Sequence, residues 1–141
     1  MDETSKTCAT ATPAEVVDEF LRLIMIPDPV AARALTSPQL RIRFTGGRAM
    51  SDTTECTSFN ASRYRWVKKR IERTETVCDG SPAETVVYSL GTLHGQWPDG
   101  TPFEGNRYVD RYVVSHGRIT QMDVWNDSAE WILDRERLSS S

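Results

Sequence analysis

Asp110 stands between Tyr108 and Tyr112 in the run Asn106-Arg-Tyr-Val-Asp-Arg-Tyr-Val-Val114. In an extended chain, side chains two apart share a face, so Tyr108, Asp110, Tyr112 and Val114 fall together. A carboxyl short of water on such an aromatic face titrates nearer neutrality, which suits proton transfer beside a carbonyl group. The competing arrangement is a buried ion pair with an arginine such as Arg43 or Arg63. His94 is the histidine placed to assist a carboxyl near neutral pH, because His116 falls in a turn. His94 could equally be a surface residue beside a sheet rim. Asn126 shares a strand face with Met122 and Val124 and could bond a substrate carbonyl, or else cap the following helix. Phe20, Trp66 and Trp97 are candidates for a pocket wall, or for core.

These residues need a scaffold, and the richest part of it is residues 106–127. Two runs of Val, Ile, Tyr and Trp flank His116-Gly117, and glycine can take the positive φ of a hairpin turn. Upstream, Thr12-Pro-Ala-Glu15 is a helix start with a capping box, followed by Val16, Val17, Phe20, Leu21, Leu23 and Ile24 at helical spacing. Pro27 ends that helix, and Asp28-Pro29 starts a shorter one through Leu35. Leu40 to Phe44 alternates as a strand. Asp52-Thr-Thr-Glu55 starts a helix near 53–65, with a weak apolar face of Cys56, Phe59 and Tyr64. Val67 to Cys78 reads as a long strand with polar faces, Asp79 to Pro82 as a turn, and Thr85 to Gln96 as a strand bent at Gly91 and Gly95. A final helix runs from Ala129 to about Leu138, capped by Asp127. Residues 1–11 and 139–141 are tails around one domain, 12–138.

Composition narrows the function classes. The chain has 141 residues and a net charge of −3, so no overall basic field draws nucleic acid or acidic lipid. The basic run from Arg63 to Arg73 reads as a solvated strand face, because Glu72 and Glu75 interrupt or follow it. No apolar run has the ~20 residues of a membrane span. Cys8, Cys56 and Cys78 lack metal-ligand spacing, and a reduced cytoplasmic setting is expected. No phosphate loop, nucleophile elbow or metal motif is present.

The element order is helix, helix, strand, helix, then antiparallel strands, an α+β plan. It resembles the nuclear transport factor 2-like superfamily, in its SnoaL-like polyketide cyclase and ketosteroid isomerase-like branch. The likeness spans roughly residues 13–133. It rests on Ile26-Pro-Asp-Pro-Val-Ala-Ala32, on Val109 to Val114 with Gly117-Arg-Ile119, and on Val124-Trp-Asn-Asp127. The resemblance implies a curved antiparallel or mixed sheet wrapped around three N-terminal helices. The result is a cone with an internal pocket and a short C-terminal helix. It also implies a homodimer through the outer sheet face, where Asp123 and Trp125 lie. Asp110 falls where ketosteroid isomerases keep a protonated aspartate. Their tyrosine would fall at Phe20, which has no hydroxyl, and their base near Arg43 or Phe44, so that mechanism does not carry over. SnoaL-like cyclases use an Asp/His pair, for which Asp110 and His94 stand here. The expected function is cofactor-free cyclisation, isomerisation or dehydration of a small apolar or polycyclic carbonyl substrate. Tyr108, Tyr112, Asn126, Phe20, Trp66, Trp97 and Met122 would line the site. The alternative is a non-catalytic binding or accessory module of the same fold.

Overall fold

A computed structural model describes residues 11–77 and 83–140 of the chain, with side chains through Asp134. The expected turn at Asp79 to Pro82, the N-terminal tail up to Thr10, and Cys8 and Cys78 lie outside the described residues.

Helix α1 (Pro13–Met25) begins with the capping box read from the sequence. The Thr12 side chain accepts from the Glu15 amide, and the Glu15 carboxylate accepts from the Thr12 amide. Its apolar stripe buries Val16, Val17, Phe20, Leu21, Leu23 and Ile24. Helix α2 (Pro29–Arg33) is shorter than expected and is capped by Asp28. Strand β1 (Thr36–Arg43) starts earlier than the alternation suggests, and the two-residue β2 (Ala49–Met50) has no counterpart in the sequence reading. Helix α3 (Thr53–Arg63) is capped by Asp52. Strands β3 (Trp66–Val77), β4 (Glu84–Gln96), β5 (Pro102–Ser115) and β6 (Arg118–Asn126) follow. Helix α4 (Ser128–Ser140) closes the chain.

The strands form one six-stranded sheet in the order β2-β1-β6-β5-β4-β3. It is mixed, because β1 runs parallel to β6 while the other neighbours are antiparallel. His116 and Gly117 both have positive φ, 51° and 76°, which matches the right-handed twist of the β5–β6 hairpin. Strand β4 alternates without interruption, so Val87, Ser89, Gly91, Leu93 and Gly95 all face inward. The irregularities fall on its neighbours instead: in β3 between Ile71 and Arg73, and in β5 opposite Leu93 and His94.

Two packed regions fill the inside. One joins α1 to the sheet through Val17, Phe20, Leu21, Ile42, Tyr112 and Ile119. The other is an aromatic plug of Tyr64, Trp97, Phe103 and Tyr108 with Leu93. Trp97 stacks on Phe103 at 4.3 Å between ring centroids and on Tyr64 at 5.6 Å. Between the regions the inner face carries polar groups, and there the interior is not fully packed.

Candidate functional site

Asp110 is fully buried on the inner face of β5, opposite Ser89 of β4. Its partner is Lys69, not an arginine. The Lys69 ammonium lies 2.7 Å from Asp110 Oδ2, and the same oxygen accepts the Tyr112 hydroxyl at 3.0 Å. Asp110 Oδ1 accepts no hydrogen bond among the described residues. Lys69 Nζ also lies 4.4 Å from the Tyr108 ring centroid, a cation–π contact, and the Tyr108 hydroxyl pairs with Ser89 Oγ at 2.9 Å.

Lys69 sits on β3, and β4 intervenes between it and Asp110. The inner face of β4 offers only Gly91 and Ser89 beside Tyr108 and Asp110, so the long lysine stem can cross. Lys69 belongs to the run that the sequence presented as a solvated face; Lys68, Arg70, Glu72 and Arg73 are exposed as expected, and Lys69 is the exception. A signal was available: Lys69 shares its face with Val67 and Ile71, one apolar residue on either side.

The electrostatics follow from burial and pairing. Burial works against the Lys69 ammonium, but the Asp110 charge and hydrogen bond outweigh it and hold its pKa above the ordinary lysine value. Tyr112 is pushed well above the usual tyrosine range by burial and by the neighbouring Asp110 carboxylate. Burial likewise raises Tyr108, against the Ser89 hydrogen bond and the lysine charge. Burial pushes the Cys56 thiol up to about 12, with Lys69 lowering it and Asp110 raising it. At neutral pH this leaves a charged lysine, two neutral phenols and an inert thiol.

Two connected chambers lead to this cluster. The inner one, about 40 Å³, is lined by Cys56, Phe44, Lys69, Leu93, Met122, Val124 and Asn126, among others. The outer one, about 180 Å³, lies between the end of α1 at Ile24 to Pro27, α3 at Thr57 to Ala61, and the start of β3. Ile24, Met25, Asn60, Tyr64, Val67 and Lys68 border both. Helix α3 therefore turns Cys56, Thr57, Asn60 and Ala61 toward empty space, which accounts for its weak apolar face. Thr57 Oγ1 is buried without a hydrogen-bond partner among the described residues.

The expected site residues divide into three groups. Met122 and Asn126 line the inner chamber and Trp66 the outer one. Asn126 Oδ1 is committed to the Ser128 amide at 3.1 Å, so it does cap the last helix. Tyr108, Tyr112 and Asp110 lie behind Lys69 and border neither chamber. Phe20 and Trp97 belong to the packed regions, Phe20 edge-to-face on Tyr112 at 6.0 Å. His94 is not brought to Asp110. It alternates onto the opposite face of β4, with its ring 5.8 Å from Trp66 and its Nδ1 buried without a hydrogen-bond partner among the described residues. Arg63 lies over Phe59 and Tyr64 instead of reaching the carboxylate.

The mixed six-stranded sheet with helices packed on its inner face recurs among solved structures. No family model and no curated protein matches the sequence. Among solved structures, an NTF2-like protein of unknown function from Burkholderia pseudomallei is 18% identical, with a TM-score of 0.68 over 87% of this chain and 96% of that one. A candidate polyketide cyclase from Xanthomonas campestris pv. campestris is 14% identical, with a TM-score of 0.62 over 84% and 92%. TerC, crystallised with polyporic acid, is 14% identical, with a TM-score of 0.65 over 85% and 95%. At these identities the likeness concerns architecture: the chain has the NTF2-like fold.

Proposed function

We propose that the chain binds a small carbonyl compound in the cone and carries out cyclase-like proton transfer on it. The supporting observation is the Lys69–Asp110–Tyr112 cluster at the head of a largely apolar cavity. Lys69 borders the inner chamber and has ammonium protons beyond the one given to Asp110, so it can donate to a carbonyl oxygen. Such a donor stabilises the negative charge that develops as the neighbouring carbon loses a proton. Asp110 fixes the ammonium, and its Oδ1, which accepts no hydrogen bond among the described residues, is the candidate proton acceptor. The candidate polyketide cyclases among the structural neighbours are consistent with chemistry of this class.

A non-catalytic ligand carrier is the second reading, favoured by one fact: Asp110 borders neither chamber. Exchange of the α-protons of 2-tetralone in heavy water, followed by NMR, separates the two. Catalysis requires the parent to exceed buffer and Lys69→Met to fall to the buffer rate. A parent that binds the ketone without accelerating exchange is a carrier.

The proposal includes a homodimer through the outer sheet face and a cytoplasmic setting. Leu90, Val109 and Trp125 pair in a row across β4, β5 and β6 on that face, and Trp125 is 52% exposed. Asp123 beside them is held by Gln121 and Arg111. Cys56, buried as a free thiol, suits a reducing compartment. Among the described residues no helix is long and apolar enough to cross a membrane.

A further inference from the structure

We infer that the ligand's deep end is an uncharged carbonyl, and that the ligand is a single aromatic ring carrying a short acyl group, not a carboxylic acid or a large polycycle. The inference rests on Lys69 being the group that meets the ligand, as proposed above.

Charge balance carries the first part. Lys69 and Asp110 form an ion pair with side chains only 14% and 0% exposed, so the head of the cavity is neutral as it stands. A carbonyl oxygen needs only a donor, and the ammonium provides one. A carboxylate placed there brings a second negative charge near Asp110, with Lys69 to serve both, because Lys68, which also borders the chambers, is an exposed residue. A buried charge without its own partner is strongly disfavoured. Lysine in a pocket is often taken to select anions, and here the carboxylate behind it reverses that selection.

Size carries the second part. An apolar cavity of about 150 Å³ accommodates benzene. The outer chamber, about 180 Å³ and open to solvent on one side, covers one ring between Ile26, Pro27 and Tyr64, and a larger ring system would project into water. The inner chamber, about 40 Å³, suits a substituent of a few atoms reaching Lys69. Met25 borders both chambers, and its sulfur accepts the Lys69 backbone amide at 2.8 Å, so it stands at the joint between ring and acyl group.

The test is a titration of the whole protein with acetophenone, benzoate and 9-acetylanthracene, followed by the Met25 and Met122 methyl resonances. Acetophenone is expected to bind at least about tenfold more tightly than benzoate, because the benzoate charge beside Asp110 is left without a cation of its own. The anthracene ketone is expected to leave Met122 unmoved. Asp110→Asn makes the head of the cavity cationic and is expected to reverse the order, with benzoate above acetophenone. If that variant does not fold, the double variant Lys69→Met/Asp110→Leu, with the donor removed along with both charges, is expected to bind acetophenone at least about tenfold less tightly than the parent and still to reject benzoate. Benzoate binding as well as acetophenone to the parent, an unchanged preference in Asp110→Asn, or unchanged acetophenone affinity in the double variant overturns the inference. These are binding measurements, so they stand or fall apart from α-proton exchange.

Discussion

At the scale of single residues, the Lys69–Asp110 pair controls both stability and chemistry. Lys69→Met leaves the buried Asp110 carboxylate without its cation and is expected to cost about 3–5 kcal/mol in denaturant unfolding. Lys69→Met/Asp110→Leu removes the second charge as well, and most of that loss should return. A double variant as unstable as the single one would show that the cost lies in packing. The alkaline limb of stability has a defined sign. Lys69, Tyr112 and Cys56 all hold their protons more tightly folded than unfolded. Their contributions are complete below the unfolded pKa values and are lost as pH rises through the folded ones. For Cys56, with a pKa near 12 against an ordinary 9.0, the loss amounts to about 4 kcal/mol between those limits. Thermal melts of Cys56→Ala should therefore decline less steeply than the parent over that range.

At the scale of elements, Gly91 lets β3, β4 and β5 work together. A Cβ there would collide with the Arg70 carbonyl oxygen on β3, so glycine is what lets β3 and β4 pair this closely. Gly91→Ala is expected to destabilise the fold by about 1–3 kcal/mol, and to weaken ketone binding in the folded fraction. Unchanged melting and binding would show that β3 shifts freely. This element also shows what could be read from the chain. The α1 capping box, the β5–β6 hairpin and the inward set Tyr108, Asp110 and Tyr112 were legible, because each depends on neighbours within a few residues. Lys69 was not. Its partner lies on β5 with β4 between, and only the fold brings them together. His94 failed for the opposite reason: its residue type suggested chemistry, but alternation along β4 turns it to the outer face. Asn126 was legible as one of two roles, and the capping bond to Ser128 is present while the residue still borders the cavity.

At the scale of the whole molecule, the outer face of the sheet is where association is expected. Trp125→Glu places a charge in the row with Leu90 and Val109 and should weaken self-association by about tenfold or more in sedimentation. Because Trp125 and the inner chamber are on opposite faces of β6, ketone affinity per protomer should persist. Loss of binding together with association would mean that the cavity depends on the partner.

The parallel pairing of β1 with β6 carries a kinetic consequence. Strands β3 to β6 follow one another as a meander, whereas Thr36 meets Ile119 from far along the chain. Closing so long a loop is slow compared with forming hairpins. The meander can thus assemble while β1 is still undocked, and Phe44, just beyond β1, then has no wall to complete. The ligand can recognise the protein only after that last docking step, so it should retard unfolding and leave the folding rate nearly unaltered.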